Sequence, residues 1–418
     1  MISRVRGTRD ILDSGQIEAL FTVMHQHFVA HNFSRIYTPL IEPLVLFKRS
    51  LGTETDVVSK EMFMVSSSSG QSDEEICLRP EATASTVRAF VENGIQVTPW
   101  KVFTIGEMFR YERPQKGRFR QFFQCSIEEI GSSAVVSDIA FITMLATLFT
   151  QKLGIADYTL HINYLGCPED RVRFKQEMAV FLETRIDQIC QICQKRKDTN
   201  ILRVFDCKQE QCQLLYKNAP RLTGSLCATC VKEWQVVQSG LTKVGIAFMH
   251  APCLVRGLDY YNKTVFEFTS SHLGAQAAFC GGGRYDHLVS AVGGKKDQPS
   301  IGAAIGVERV LMILEELSLN LVESKRPLFV LIPLSEEQHI AVLEIALLLR
   351  KAGLCVEMLC EGSLKSMMRK ADALNARACL LFGSNEQAAG VVSVKDMVTG
   401  QATELNLSQL APFLVQMV

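Results

Sequence analysis

No Gly-x-x-x-x-Gly-Lys-Ser/Thr phosphate loop occurs anywhere in the sequence, and no Gly-x-Gly-x-x-Gly follows a strand-like run. The nearest approach, Gly293-Gly294-Lys295-Lys296, lacks both the upstream glycine and the hydroxyl residue. Any nucleotide must therefore be held by arginines on a sheet rather than by a P-loop. Apolar runs also stop well short of the roughly 20 residues that span a bilayer. The charged opening Met1 to Gly15 is not followed by the apolar segment of a signal peptide. These absences make the cytoplasm the expected compartment. Net charge is missing too, because 44 Lys and Arg balance 44 Asp and Glu. A nonspecific nucleic-acid coat is thereby excluded, and an RNA partner would be gripped by local basic loops.

Cysteine, by contrast, is abundant, at 14 residues. Most cysteines sit singly in apolar stretches, as Cys355, Cys360 and Cys379 do, and read as free buried thiols. With 418 residues, 47% of them hydrophobic, the chain is globular and long enough for two or three compact units. Residues 1–166 mix helical patterning (Ile17 to Phe28, Ser85 to Asn93) with strand alternation. Residues 167–242 are charged and cysteine-rich, helical around Val172 to Ile192, and look like an insertion. Strands and glycine-dense turns return over 243–324, and Lys325-Arg326-Pro327 reads as a linker. Over 328–418, strands at Leu328 to Pro333, Leu354 to Leu359 and Ala378 to Phe382 alternate with helices at Glu336 to Ala352 and Leu364 to Leu374. That order predicts a small, mostly parallel α/β domain. Ser66 to Ser69 reads as a solvated loop.

Period-two alternation identifies a hairpin at Lys101 to Gly131. Arg110 shares a face with Gly106, a glycine that opens space over the strand. After the basic turn Glu112 to Arg120, Gln124, Ser126 and Glu128 share one face, opposite Phe123, Cys125 and Ile127. A polar sheet face with a cationic tip suits an anionic ligand on the sheet and a phosphate backbone at the tip. The alternative is a solvated outer face with a basic turn. In Leu254 to Phe268, a strand-like run, Arg256, Tyr260 and Tyr261 stand out. The glycines of Gly281-Gly282-Gly283-Arg284-Tyr285-Asp286 permit close approach of a ligand, although taken alone they read as a turn. Ile301 to Arg309 is a small-residue strand entering a helix whose buried stripe is Val307, Val310, Leu311, Leu314 and Leu317. Arg309 falls in the first turn, off that stripe.

These residues resemble a known family. Tyr37 to Gly52, with Pro39, looks like motif 1 of class II aminoacyl-tRNA synthetases, Phe109 to Glu128 like motif 2, and Gly302 to Arg309 like motif 3. Leu254 to Tyr261 and Gly281 to Asp286 resemble the two signatures of the histidyl enzymes, and Leu78 to Thr83 matches a strand end that holds the amino acid. The resemblance implies an α+β catalytic domain on an antiparallel sheet, a helical insertion and a C-terminal α/β anticodon-binding domain. It implies that L-histidine is activated with ATP and magnesium and then transferred to its tRNA, by a homodimer whose contact is motif 1.

The resemblance also assigns roles. Glu81, Thr83 and Gln124 would hold the α-amino group. Glu128 and Tyr261 would reach the imidazole nitrogens, with Tyr285 closing the pocket and Tyr260 beside it. Arg110 would grip the α-phosphate and carboxylate, with Arg113 also on ATP and Arg309 on the γ-phosphate. Arg256 would be the catalytic cation. Gln115, Arg118 and Arg120 would meet the tRNA acceptor end. Two departures stand out: Phe123 replaces a histidine common in bacterial members, and Cys125-Ser126-Ile127 replaces a stretch richer in glycine. Because Phe123 points away from Gln124, its substitution implies altered packing.

In the insertion, Cys190-x-x-Cys193 and Cys227-x-x-Cys230, with Cys207 and Cys212 between them, can form a tetrahedral zinc–thiolate site. Unliganded thiols packing a helical lobe are the competing reading, and no metal is assigned. Two other functions compete. Regulatory subunits of ATP phosphoribosyltransferase share this core but usually lack both the C-terminal domain and the Arg-Gly-Leu-Asp-Tyr-Tyr signature. A prolyl or threonyl enzyme would have no imidazole to satisfy with Glu128 and Tyr261.

Overall fold

The computed structural model describes residues 2–52, 55–66, 74–322 and 327–417. Two compact units divide at residues 321 and 322. Lys325 and Arg326 of the expected linker, and Ser67 to Ser69, lie outside the described residues.

The first unit is built on an eight-stranded sheet. Its strands are β1 (Ser34–Arg35), β5 (Trp100–Phe109), β6 (Gln121–Ile130), β7 (Thr159–Tyr164), β8 (Met249–His250), β9 (Asn262–Thr269), β10 (Ala278–Arg284) and β11 (Ser300–Gly306). Their order is β1-β5-β6-β11-β10-β9-β7-β8, with every pairing antiparallel except at the two edges. Short strands β2 (Ile41–Pro43), β3 (Phe63–Val65) and β4 (Ile76–Leu78) form a separate small sheet.

Alternation decides which face of the large sheet is core. Phe103, Ile105, Cys125, Ile127, Ile301, Ala303 and Ile305 all turn to one side, against helices Gly15–Ala30, Val135–Thr147 and Val307–Glu316. Burying each large side chain there is worth about 1.5–3 kcal/mol. Helix Val135–Thr147, continued by Leu148–Lys152, is apolar enough to resemble a membrane span, but it belongs to this core. Phe123 packs on the same side, away from Gln124, with its ring 5.5 Å from that of Phe21. The helix Val307–Glu316 buries Val307, Val310, Ile313 and Leu314. Leu311 and Leu317 are only partly covered, so the stripe is rotated slightly from the expected one.

Three expectations are corrected. Gly281, Gly282 and Gly283 are not a turn but the middle of β10, hydrogen-bonded on both sides. A Cβ on Gly282 would overlap the backbone of Gly302, so the glycines are there to let two strands pack closely. Leu254 to Tyr261 is not strand; it is a loop, and β9 begins only at Asn262. The space over Gly106 is filled by Arg79 rather than Arg110: a Cβ there would meet Arg79 Nη2 at 2.6 Å. Arg79 is fixed by the carbonyls of Thr38 and Glu107, each at 3.0 Å.

The insertion carries helices Pro168–Glu183, Gln191–Thr199, Glu210–Tyr216 and Ala228–Lys243. The first three share a core, through Phe174, Cys193 and Tyr216, with Val265 of β9 and with Tyr261 and Tyr285, which flank the strands of the large sheet. The fourth packs instead on Val135–Thr147, with Gly240 against Ile139. The two Cys-x-x-Cys pairs do not meet. Cys190 and Cys193 gather with Cys207 and Cys212, while Cys227 and Cys230 gather with Cys167 and Asp170.

The second unit has a five-stranded sheet of order β13-β12-β14-β15-β16, from β12 (Leu328–Pro333), β13 (Cys355–Met358), β14 (Ala378–Phe382), β15 (Val391–Asp396) and β16 (Ala402–Asn406). The three strands read from the sequence are parallel, and the two not foreseen complete the sheet antiparallel.

Candidate active site

The face of the large sheet opposite the core is floored by small residues. Gly302, Ala304 and Gly306 of β11 stand level with Glu128, Ser126 and Gln124 of β6, and Gly281 of β10 with Ala304. With no bulky side chains on this floor, a cavity of about 250 Å³ lies on the sheet, lined by Glu81, Thr83, Arg110, Gln124, Arg256 and Arg309 among others. Glycine is required at 302 because a Cβ would overlap the Glu128 carboxylate.

One end of the cavity is acidic. Glu128 is 1% exposed, its Oε2 accepting from the Tyr285 hydroxyl at 2.5 Å and its Oε1 from the Thr83 hydroxyl at 2.6 Å. Burial pushes its pKa up to about 8, against the pull of those two hydroxyls. Glu81 accepts the backbone N–H groups of Thr83 and Ala84, at 2.7 and 2.9 Å, at the start of helix Thr83–Glu92. Burial raises it as well. Tyr260 and Tyr261 lie over this end, ring centroids 4.5 Å apart, and Tyr260 meets Tyr285 edge-on. Two carboxylates brought out of water, neither ion-paired among the described residues, call for a cationic, hydrogen-bonding ligand.

The other end is cationic. Arg110 stacks on Phe122, 5.3 Å from its ring, and its Nε donates to the Pro80 carbonyl at 2.9 Å. Arg309 reaches the carbonyls of Ala278 at 2.5 Å and Gly117 at 3.3 Å. Burial lowers the pKa of Arg309, and the charges of Arg118 and Arg110 lower it further, so three guanidiniums converge with too few anions. Such a cluster is an anion site. Arg256 lies between the two ends and donates to Glu267 at 2.7 Å. A Cβ on Gly281 would collide with its guanidinium, so the glycine lets Arg256 lie flat on β10. Its buried Nε has no hydrogen-bond partner among the described residues. An orphaned buried donor in a polar cleft is a place for a ligand oxygen.

Glu81, Thr83, Arg110, Gln124, Arg256, Tyr260, Tyr261 and Arg309 thus line one cavity, and Glu128 with Tyr285 lies behind Thr83 at its acidic end. Thr83 is committed to Glu128 by its hydroxyl. Arg118 turns into the cavity and pairs with Glu112 at 2.9 Å, whereas Arg113 and Gln115 are exposed on the turn. Arg120 stacks on Tyr111 at 3.8 Å. Sequence reasoning passed over Glu112, Glu267 and Glu308. Glu308 accepts the Phe123 N–H at 2.9 Å and pairs with Arg9 at 3.7 Å, tying the motif 3 helix to β6. Glu267 could have been noticed as the one acid in the run Val265 to Phe268. The signature residue Arg284 lies outside the cavity, bound to Asp138 at 2.7 Å beneath the sheet.

A family model described as histidyl-tRNA synthetase matches residues 7–310, and one described as an anticodon binding domain matches 329–417. The chain belongs to the histidyl-tRNA synthetase family. It is 42% identical over 400 residues to the histidine–tRNA ligase of Nitratiruptor sp., covering 95% of this chain and 96% of that one. It is 40% identical over 410 residues to that of Halothermothrix orenii, covering 97% of each. The apo histidyl-tRNA synthetase of S. aureus superposes with a TM-score of 0.82 at 29% identity over 99% of both chains. The class II synthetase fold, an antiparallel sheet flanked by helices with a C-terminal anticodon-binding domain, is thereby the fold of this chain. In a histidyl-tRNA synthetase of this geometry, Gly302→Ala should displace Glu128 and raise the KM for histidine at least tenfold. The arginine cluster at the other end would stay in place, so the KM for ATP should change little. Steady-state exchange kinetics with each substrate varied in turn check this.

Proposed function

We propose that this chain is a histidine–tRNA ligase that activates L-histidine with ATP to histidyl-adenylate and pyrophosphate, then transfers histidine to the 3′ end of tRNA(His). The observation that carries the reading is the division of one cavity into a carboxylate end and an arginine end, with Arg256 between them. Histidine and ATP together have that polarity.

Glu128, held at both oxygens, presents its carboxyl to one imidazole nitrogen, and Tyr261 presents a hydroxyl to the other. A side chain without two ring nitrogens would leave buried polar groups unpaired, which makes rejection strong. Glu81 and Gln124, with Thr83 beside them, take the α-amino group. Arg110 binds the α-phosphate and the histidine carboxylate, Arg309 the γ-phosphate, and Arg113 approaches ATP from the turn. ATP enters as its magnesium complex, for which Glu112 offers an oxygen donor. Arg256 bridges carboxylate and α-phosphate. As the carboxylate oxygen attacks phosphorus and the bond to pyrophosphate breaks, its fork neutralises the growing charge. In the second step a ribose hydroxyl of the terminal nucleotide attacks the histidyl carbonyl and AMP leaves. The turn carrying Gln115, Arg118 and Arg120 guides that acceptor end, and the C-terminal unit takes the anticodon. The setting is the cytoplasm. Charging of tRNA(His) transcript with labelled histidine tests the proposal, and failure to charge by folded protein would sink it.

The working form is a homodimer built on motif 1, with no membrane partner. Tyr37, Ile41 and Val45 are 76%, 52% and 49% exposed, large apolar side chains that a partner subunit would cover. Ile41→Asp together with Val45→Asp should halve the mass seen in sedimentation; an unchanged mass would place the interface elsewhere.

A further inference from the structure

The sulfurs of Cys190, Cys193, Cys207 and Cys212 converge in the insertion, all within 4.8 Å of one another. All four are free thiols. The Sγ atoms of Cys190 and Cys207 stand 3.7 Å apart. Disulfide sulfurs lie about 2.05 Å apart. By contrast, Zn–S bonds of about 2.3 Å in a tetrahedron place neighbouring sulfurs about 3.8 Å apart.

The backbone is arranged for the same end. The Cys190 N–H donates to Cys212 Sγ at 3.2 Å, and the Gln209 N–H to Cys207 Sγ at 3.4 Å. Such donors spread the negative charge of bound thiolates. Thiols that merely fill a core have no reason to meet four at one point. Cys193, Cys207 and Cys212 are buried and Cys190 is half-buried, which makes a closed site with no position left for substrate. Closure of that kind marks structural rather than catalytic metal.

We propose that Cys190, Cys193, Cys207 and Cys212 bind one structural zinc ion as a tetrathiolate. The thiols release their protons to solvent as the ion enters, and no electron is transferred. Four soft sulfur donors in a tetrahedron suit zinc or iron and disfavour the hard cations. The segment Ile201–Asp206 is strung between the two ligand pairs. Asn200, just before it, donates Nδ2 to Asp259 Oδ1 at 2.9 Å, and Arg203 within it pairs with Asp259 at 3.5 Å and donates to the Gly257 carbonyl. The ion therefore cross-links the stretch that props the loop carrying Arg256. Cys167, Asp170, Cys227 and Cys230 make a poorer set. Asp170 already accepts the backbone N–H groups of Cys167 and Cys227, at 3.2 and 2.8 Å, and pairs with Arg173. No metal is assigned there.

The test uses full-length, untagged protein grown with zinc and purified with its thiols reduced. Elemental analysis should find zinc bound, with one equivalent lost in Cys207→Ser and in Cys212→Ser but retained in Cys227→Ser and Cys355→Ser. Zinc-free wild type, iron in place of zinc, or an unchanged zinc content in both Cys207→Ser and Cys212→Ser would overturn the proposal. Should those two variants fail to fold, X-ray absorption of the wild-type protein decides instead. Four sulfur neighbours about the zinc support the site, and fewer contradict it.

Discussion

Arg256→Ala is expected to lower histidine-dependent ATP–pyrophosphate exchange by about 10²–10³-fold, mostly in kcat. Removing one preorganised donor from a developing charge costs about 2.7–4 kcal/mol in comparable sites. The structure says why the loss should be large here. Arg256 is the group set between the acidic and the cationic ends of the cavity. Burial opposes its charge, but Glu267 and Tyr261 outweigh burial and hold its pKa above the usual value. It is therefore a fixed cation, anchored through Nη1, with Nε left for a ligand. Arg256→Lys should recover only part of the rate, because an ammonium cannot contact Glu267 and two ligand oxygens as a planar fork does. Equal exchange in wild type and Arg256→Ala would remove Arg256 from the chemistry.

Glu128→Gln is expected to separate function from stability. Without the carboxylate, kcat/KM for histidine should fall about 10- to 100-fold, the scale of one charged hydrogen bond. Stability should move the other way at high pH. A glutamate in the unfolded chain titrates near about 4.3, whereas burial lifts Glu128 in the fold to about 8. Between these values the folded chain keeps a proton that the unfolded chain has lost. The stabilisation this gives is fully present below the lower pKa and disappears as pH rises through the upper one. Glutamine never ionises, so the variant should have a flatter Tm profile and melt a few degrees above wild type at pH 8. Parallel Tm–pH profiles for the two proteins would contradict the burial argument.

Much of this site was legible because sheet alternation has a period of two. Once Lys101 to Gly131 reads as a hairpin, Gln124, Ser126 and Glu128 must share a face, and in the sheet they stand level with Gly306, Ala304 and Gly302. Arg309 fell in the first helical turn because a small-residue strand leads into an amphipathic helix. The failures have a common physical cause: partners distant in sequence. The use of Gly281 to Gly283 depends on Gly302 and Arg256 lying against them, which no local pattern encodes. The space at Gly106 went to Arg79 for the same reason. Pairing the two Cys-x-x-Cys motifs with each other followed their likeness in sequence, whereas the chain folds Cys190 and Cys193 onto Cys207 and Cys212, and Cys227 and Cys230 onto Cys167 and Asp170. Glu267 and Glu308 were missed because each acts on a neighbour, Arg256 or the Phe123 backbone, visible only once strand register is known.

The central claim is that one cavity joins an imidazole-reading carboxylate to an ATP-reading arginine cluster. ATP–pyrophosphate exchange with wild-type protein, run separately with each of the twenty amino acids, tests it most directly. The account predicts exchange with histidine and background with the rest, proline and threonine included. Exchange with another amino acid would refute the reading of Glu128 and Tyr261. No exchange at all from folded protein would point to a non-catalytic, regulatory relative of the family.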